Sequence, residues 1–291
     1  MRLLVLLASI CACSLSCGRS SAVRIGSKNF TESIILGEIV AGALEQRGVP
    51  TDRRLNLGGT FVCHKALVAG ELDLYCEYTG TALTAILKLP PAQDPHAVLQ
   101  SVRDEYVRRY DLRWSDPFGF DDTFAIVVRG ADARGFGLNN ISDLSKVQDR
   151  FRPGFGYEFL DRPDGWPGLQ EIYHLNFATP ARSLDLGLLY QAIQANKVDV
   201  VAGNSTDGLI AALDLVVLHD DLRFFPPYEA AAVYRPTVTE ADPRIEAALG
   251  DLHGTITDDA MRTMNYEVDG RHRDPRDVAL EFLRKLRVSR P

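Results

Sequence analysis

The stretch ELDLYCEYTGTALTAIL, residues 71–87, decides the fold of this chain. Its apolar part around 72–75 is typical of a β-strand, and the part from Thr81 onward is typical of a helix. The segment EYTGT (77–81) therefore predicts the end of a strand that leads directly into a helix. An aromatic face attracts a cation and the free N–H groups at a helix start attract an anion, so this junction suits a small zwitterion. Such junctions are common, however, and on its own this one is more often plain architecture.

The segments before this stretch alternate between strand and helix patterns. Residues 23–25 predict a short strand, and Asn29 with Glu32 three residues later predicts a capping box at the start of a helix. Alternating apolar residues over 55–57 predict a second strand, and 58–60 turn into a second helix. This β-α-β-α-β order predicts a parallel sheet with helices on both faces.

A second set of α/β elements follows the first. The predicted elements are a helix from Asp94-Pro95, a strand over 124–128, a helix after Pro167, a helix over 184–196, a strand over 198–201 and helices after Asp242 and Pro275. A mature length of about 270 residues suits two lobes better than one core. Two α/β units predict a ligand cleft between the lobes, where the loops at strand ends meet.

The first residues predict an export signal. Arg2 precedes an apolar run over 3–12, which is too short to span a bilayer and is typical of a signal-peptide core. The small residues before Cys17 resemble a bacterial lipoprotein cleavage site. They predict a signal peptide over 1–17 and a lipid on Cys17, with Cys11 and Cys13 as a competing site. No later segment has about 18 consecutive apolar residues. The sequence thus predicts a protein in the periplasm or on the outer face of the cell membrane, tethered only by its N-terminal lipid.

Two cysteines, Cys63 and Cys76, stay in the mature chain if Cys17 carries the lipid. An oxidising compartment permits a disulfide between them, and two buried thiols are the alternative. Neither cysteine has the spacing partners of a metal site.

Composition and motifs exclude several classes of function. The formal net charge is −7 without a Lys/Arg cluster, which argues against nucleic-acid binding. The chain contains no HExxH, GxSxG or P-loop motif and its histidines are scattered, so neither a metal, another cofactor nor a catalytic nucleophile is predicted. Paired acids such as Asp121 and Asp122 are the only candidates for catalysis, and neighbours in a loop rarely converge on one substrate. They could cap a helix, or one could face a ligand cation. The sequence therefore predicts a protein that is not an enzyme.

Five blocks of sequence carry a resemblance to a known family. They are SKNFTESIILGE (27–38), LGGT (57–60), AL-x-x-GELDLY-x-EYTGT (66–81), STDG (205–208) and FFPPYEA (224–230). In this order they resemble the osmoprotectant substrate-binding proteins of ABC importers, which bind glycine betaine, choline or carnitine. The resemblance extends over residues 24–286.

The resemblance implies an α/β fold of the two-lobed periplasmic-binding-protein type (type II-like), with two hinge crossings and a ligand cleft between the lobes. Residues 23–123 plus 229–291 would form the first lobe and 124–228 the second. The implied function is capture of a quaternary-ammonium zwitterion without chemistry, by a monomer that delivers it to an ABC permease with a separate ATPase. A ligand-binding sensor subunit is the distant alternative.

The resemblance also implies a ligand site. Lys28 and Arg162 would clamp the ligand carboxylate, with Thr81 donating a further hydrogen bond. Tyr78 and Tyr228 would be walls of an aromatic box around the trimethylammonium group, which has no N–H donors and is best held by aromatic faces.

Three residues depart from the family pattern. Phe124 stands where the family usually has Tyr, Asn204 where an aromatic wall is usual, and Ser33 where many relatives have Gln. An incomplete box would cost on the order of 1 to 2 kcal/mol of binding free energy for one missing wall. Its open side would admit a bulkier ligand, such as a carnitine-like or ergothioneine-like molecule, or a ligand that is not a betaine. In the STDG block, Asp207 is predicted to cap the next helix.

Overall fold

Two β-sheets organise the chain in the computed structural model, which describes residues 22–289. The predicted signal peptide and Cys17 lie outside these residues. The strands are β1 Val23–Lys28, β2 Thr51–Gly58, β3 Leu74–Tyr78, β4 Arg113–Trp114, β5 Phe124–Arg129, β6 Pro153–Gly156, β7 Arg182–Leu184, β8 Val200–Asn204, β9 Leu215–Leu218 and β10 Ala230–Tyr234. The α-helices are α1 Thr31–Gln46, α2 Thr60–Val68, α3 Thr79–Thr81, α4 Pro95–Tyr110, α5 Gly130–Phe136, α6 Tyr157–Asp161, α7 Trp166–Ile172, α8 Leu189–Gln194, α9 Leu209–Ala212, α10 Pro236–Ala241, α11 Pro243–Asp251, α12 Asp258–Asp269 and α13 Pro275–Ser289. A π-helical turn (Ala82–Ile86) and 3₁₀ turns (Ile141–Lys146, Leu186–Leu188) complete the helical segments.

The first sheet has the strand order β2-β1-β3-β10-β4. Strands β1, β2 and β3 are parallel, as the β-α-β-α-β pattern predicts. Strand β10 returns from far along the chain and runs antiparallel to both β3 and β4. The three parallel strands therefore end at the same edge of the sheet, and the EYTGT junction lies at that edge.

The second sheet has the order β7-β6-β8-β5-β9. Here β5 is antiparallel to β8 and β9, whereas β6 is parallel to β7 and β8. The predicted helix over 184–196 is shorter than expected: β7 extends to Leu184, and only Leu189–Gln194 is α-helical. Asp185 accepts a hydrogen bond from the N–H of Gly187 at 2.9 Å and so starts the intervening 3₁₀ turn.

The chain passes between the sheets after β4 and again after β9, which gives the two-lobed fold with two crossings. The crossing segments pair with each other through a bridge between Asp121 and Glu229. The N–H of Asp122 also donates to the carbonyl of Tyr228 at 3.1 Å. The predicted lobe boundaries at 123–124 and 228–229 fall in these segments and stay predictions.

Helix α1 fixes the first part of the site. It is buried along most of its length, and Ile35, Leu36 and Ile39 are fully buried in the core. A Cβ on Gly42 would lie 2.6 Å from Leu283 Cδ1 of α13, so the two helices approach closely at this point. Because α1 packs against both the core and α13, the side chains of its first turn have fixed positions.

The predicted capping box at Asn29 is wrong. Helix α1 starts at Thr31, with Phe30 as N-cap and no side-chain capping bond. The N–H of Asn29 still donates to the carbonyl of Gly58 at 3.0 Å, which continues the pairing of β1 with β2. The chain therefore enters the helix later than predicted, and Glu32 turns inward and is buried.

Cys63 and Cys76 are free buried thiols, so the disulfide left open by the sequence is not formed. They lie in different hydrophobic clusters, Cys63 with Tyr75 and Cys76 with Leu74. Since neighbouring residues of a strand point to opposite faces, β3 separates the two sulfurs. Burial raises the pKa of Cys63 to about 12 and also raises that of Cys76, so both stay protonated at neutral pH.

We expect two reactive thiols to appear only on unfolding. Residues 22–291 contain Cys63 and Cys76 as their only cysteines. A thiol reagent should label a protein of these residues slowly in the native state, because both thiols are buried. In denaturant it should label both sites without added reductant, because both thiols are free. Cys63→Ser should halve the amount of label that the denatured protein takes up. An unlabelled denatured wild-type protein would contradict this expectation.

Among residues 22–289, no helix has both the length and the apolar character that crossing a bilayer requires.

Candidate ligand-binding site

A cavity of about 660 Å³ lies between the two sheets. Seven of the predicted ligand-binding residues line it, and they come from both lobes: Lys28, Tyr78, Thr81, Phe124, Arg162, Asn204 and Tyr228. Ser33 is not among the lining residues. Its hydroxyl accepts a hydrogen bond from the N–H of Lys28 at 2.8 Å, which places Ser33 behind the wall as a support for Lys28.

Aromatic rings form walls on both sides of this cavity. Phe30 stacks on Tyr78 with ring centroids 6.2 Å apart. On the other side, Phe124 meets Phe159 at 4.8 Å and Tyr228 at 5.5 Å, both edge-on. Phe30 and Phe159 are wall residues that the sequence did not predict. The signal that could have indicated Phe30 is its place in the SKNFTE block, two residues after Lys28.

Asn204 lies directly opposite Phe124 in the antiparallel pairing of β8 with β5. Paired residues of neighbouring strands project to the same face, so the polar Asn204 side chain stands beside an aromatic wall. This stretch of the cavity surface is not closed by a ring at position 204.

Lys28 is buried and already balanced by a carboxylate of the protein. Its Nζ donates to Glu77 Oε1, and the Glu77 side chain has no solvent exposure. The same Nζ lies 4.7 Å from the centroid of the Tyr78 ring. Lys28 therefore brings a positive charge to the cavity wall, and two of its three N–H groups are left for other acceptors.

Arg162 joins the two lobes across the cavity. Its Nη2 donates to Thr81 Oγ1 at 3.1 Å, and its Nε and Nη2 hold Asp164 at 2.9 and 2.5 Å. Asp164 is thus its ion-pair partner. Nη1 makes no hydrogen bond to any residue of 22–289, and it is the guanidinium nitrogen left for a ligand. Because Thr81 accepts from Arg162, its own hydroxyl hydrogen stays available for donation.

Asp164 connects Arg162 to the second crossing segment. It accepts a hydrogen bond from the Tyr228 hydroxyl at 2.7 Å. Burial acts against ionisation of Asp164, but Arg162 outweighs it, and the pKa of Asp164 lies below its ordinary value. The same attraction raises the pKa of Arg162 against the effect of burial. Both groups are therefore charged at neutral pH, and they hold Tyr228 in place.

Acidic side chains form the remaining polar wall. Glu32 accepts hydrogen bonds from the Tyr78 hydroxyl at 2.7 Å and from Thr206 Oγ1 at 2.5 Å. Asp122 accepts from the same Thr206 hydroxyl at 2.8 Å. Burial raises the pKa of Glu32, and burial together with the nearby Glu32 charge raises that of Asp122 well above its ordinary value. Of the two acids at 121 and 122, Asp122 is the one that lines the cavity.

Asp207 is also a wall residue, and its predicted role as a helix cap is wrong. Helix α9 starts at Leu209 with no side-chain capping bond. The Asp207 carboxylate instead accepts hydrogen bonds from the Tyr190 hydroxyl and from the N–H of Asn204, the latter at 2.9 Å. The turn after β8 thus folds Asp207 back toward the strand, and burial raises its pKa to about 7.

This geometry, two α/β lobes around a cavity with aromatic walls and a few fixed polar groups, is that of a solute-binding protein. The sequence over 21–285 matches the family described as the substrate binding domain of the ABC-type glycine betaine transport system, and the chain belongs to this family. The resemblance inferred from the five sequence blocks is confirmed.

Individual proteins of known name support the same assignment. The chain is 35% identical over 280 residues to the carnitine transport binding protein OpuCC of Listeria monocytogenes, covering 94% of this chain and 91% of that protein. It is 33% identical over 263 residues to the ergothioneine transport permease/ergothioneine binding protein EgtU of Helicobacter pylori, covering 90% of this chain and 47% of that protein. A solved structure of a glycine betaine/carnitine/choline ABC transporter matches with a TM-score of 0.74 and 34% identity, covering 90% of this chain and 98% of that one.

The family assignment confirms the predicted class of function. This chain is a substrate-binding protein of an ABC-type transport system. Proteins of this family act outside the cytoplasm, bind a small ligand and work with a permease, and the family consists of transport proteins and not of enzymes.

Proposed function

We propose that this protein captures a quaternary-ammonium zwitterion of the glycine betaine type and delivers it to an ABC permease with a separate ATPase. The observation that carries the proposal is the placement of Arg162. Its free Nη1 and the Thr81 hydroxyl lie in a cavity whose walls include the Tyr78 and Phe124 rings. Aromatic faces suit the ammonium end of such a ligand, and charge-assisted donors suit its carboxylate.

A bulkier zwitterion, carnitine-like or ergothioneine-like, is a second candidate. The cavity volume of about 660 Å³ falls in the range that holds drug-sized ligands. Asn204 in place of an aromatic wall leaves space beside Phe124. Two relatives are named for carnitine and for ergothioneine, which supports this size class.

The proposal includes the setting in which capture takes place. A monomer, held by a lipid on Cys17 in the periplasm or on the outer face of the cell membrane, would meet its ligand before transport. Mass spectrometry of the membrane fraction, with Cys17→Ser as the control, tests the anchor.

Thermal unfolding against a ligand panel tests the proposed function. A ligand at a hundred times its dissociation constant should stabilise the protein by about 2.7 kcal/mol. The panel contains glycine betaine, choline, carnitine, ergothioneine and ordinary amino acids. We expect a shift with at least one quaternary ammonium compound, and a loss of roughly tenfold in its affinity in Phe124→Leu, which removes a ring without removing a hydrogen bond.

Phe136→Leu is the matched control, because Phe136 is a partly exposed ring outside the cavity. It should leave the affinity unchanged. No shift with any quaternary ammonium compound would overturn the proposed ligand class.

A further inference from the structure

One hydroxyl group bridges two buried carboxyl groups between the lobes. Thr206 Oγ1 lies 2.5 Å from Glu32 Oε2 and 2.8 Å from Asp122 Oδ1. A hydroxyl has a single hydrogen, so it can donate to only one of these oxygens. The other short contact needs a hydrogen on the carboxyl side. We call these three side chains the Glu32–Thr206–Asp122 bridge.

The other donors around the bridge are already engaged. The Tyr78 hydroxyl donates to the second oxygen of Glu32 at 2.7 Å. The amide nitrogen of Asn265 donates to Glu32 Oε2 at 3.0 Å and to the carbonyl of Thr206 at 3.1 Å. The amide oxygen of Asn265, a residue with 1% exposure, is buried and has no hydrogen-bond partner within residues 22–289. The N–H of Thr206 donates to Asp122 Oδ1 at 3.2 Å, and with it counted the oxygen acceptors still outnumber the hydrogens that these donors supply.

The surrounding charges do not supply a counterion. No Lys, Arg or His between residues 22 and 289 forms an ion pair with Glu32 or Asp122. Lys28, which contacts the Tyr78 ring, is paired with Glu77. On the remaining sides stand further acids and hydroxyls: Asp207 with Tyr190 beside β8, and Asp269 with Thr31 where α12 meets α1. His272 lines the same cavity, and its electrostatic effect lowers the pKa of Asp269, which burial raises.

Two ionised carboxylates that share one hydrogen donor in a buried site repel each other, and such a pair commonly keeps one proton between them. Burial raises the pKa of Glu32, and burial together with the Glu32 charge raises that of Asp122, which acts in the same direction. Both residues line the cavity. A cation on the Tyr78 ring would therefore stand next to the bridge, because the Tyr78 hydroxyl is bonded to Glu32.

We propose that the Glu32–Thr206–Asp122 bridge holds one exchangeable proton in the ligand-free protein, and that a quaternary ammonium group entering the cavity displaces it. The inference rests on the proposed function for the identity of the cation. In the exchange, one carboxyl O–H bond breaks, its electron pair stays on the carboxylate, and the proton passes to the solvent buffer. With choline, one positive charge enters as one leaves, so the net charge of the buried cavity is unchanged. A zwitterion also brings its carboxylate, which Arg162 and Thr81 would hold away from the bridge.

The exchange gives ligand capture a defined pH dependence. Because the proton and the ligand compete, affinity falls as the pH drops below the apparent pKa of the bridge, by at most about tenfold per pH unit. At higher pH, where the bridge has already lost its proton, affinity becomes independent of pH.

Titration calorimetry measures the released proton directly. Choline and glycine betaine are titrated into the protein in buffers of different ionisation enthalpy, from about pH 5 to about pH 9. The dependence of the observed heat on the buffer gives the number of protons released, and we expect about one at low pH. Glu32→Gln and Asp122→Asn should each abolish the release. Asp116→Asn, at an exposed ion pair with Arg103, is the matched control and should retain it.

Binding of either ligand without proton release and with flat affinity over this range would overturn the inference and leave the proposed function standing. If neither ligand binds, the titration uses whichever quaternary ammonium compound of the panel does. If none binds, the proposed ligand class fails, and the proton is then measured in the ligand-free protein. The infrared carbonyl stretch of a protonated carboxyl should be present at neutral pH and reduced in both Glu32→Gln and Asp122→Asn. A spectrum unchanged by either substitution would overturn the inference.

Discussion

Arg162→Met is expected to lower the free energy of unfolding by about 3 to 5 kcal/mol at neutral pH, because it leaves the buried Asp164 carboxylate without its cation. Arg162 and Asp164 are 4% and 3% exposed, so water cannot replace the lost partner. The Tyr228 hydroxyl would be the main donor left to Asp164. Urea denaturation at neutral pH measures the loss. Arg103→Met, which breaks a partly exposed pair with Asp116 and a hydrogen bond to the carbonyl of Ser115, should cost clearly less.

The pH dependence of this loss has a definite sign. In the wild-type protein the pKa of Asp164 lies below its ordinary value, so its contribution to stability is present above the ordinary Asp pKa and is lost as the pH falls through the lowered one. Without Arg162 that contribution is absent, and the difference between variant and wild type should shrink in acid. The double variant Arg162→Met/Asp164→Asn should recover most of the stability. Equal stability of Arg162→Met and wild type at neutral pH would contradict the buried-pair argument.

Arg162→Met should also weaken binding of glycine betaine by about 2 to 5 kcal/mol, since a buried ligand carboxylate would lose a charge-assisted donor. Choline has no carboxylate and should lose much less affinity. The stable double variant separates the two effects, because its binding is measured on a folded protein.

Lys28→Met is expected to have the second-largest effect, again about 3 to 5 kcal/mol of unfolding free energy. It leaves Glu77 fully buried, and the donors that remain to it in the described part of the chain are the Tyr75 hydroxyl at 3.2 Å and the N–H of Tyr78 at 2.8 Å. Adding Glu77→Gln removes the uncompensated charge and should restore most of the stability in the same denaturation measurement.

The Lys28→Met/Glu77→Gln variant then tests whether Lys28 contacts the ligand. We expect its affinity for glycine betaine to fall further than its affinity for choline. Equal losses for both ligands would mean that Lys28 only neutralises Glu77 and contributes nothing to the carboxylate clamp.

Local sequence was sufficient to predict much of this molecule. The alternation of strand and helix patterns predicts the parallel part of the first sheet, and the family resemblance implies that Lys28, Tyr78 and Arg162 share one ligand site; all three line the cavity. These features depend on residues close together in the chain or on a pattern shared by a family.

What the sequence did not predict depends on contacts between distant segments. Glu32 was assigned to a helix cap because its spacing from Asn29 fits a capping box, but burial against Thr206, 174 positions away, turns it into the cavity. That Cys63 and Cys76 lie on opposite sides of β3 also depends on how the sheet assembles, which short stretches of sequence do not show. Likewise, no spacing rule shows that Lys28 has a buried counterion of its own.

The bridge between Asp121 and Glu229 ties the crossing segments into a short ribbon, and Asp122 and Tyr228 belong both to that ribbon and to the cavity wall. Rotation of one lobe against the other therefore moves the pivot and the ligand's surroundings together. A solute that displaced Tyr228 from Asp164 would therefore also displace the ribbon that connects the lobes.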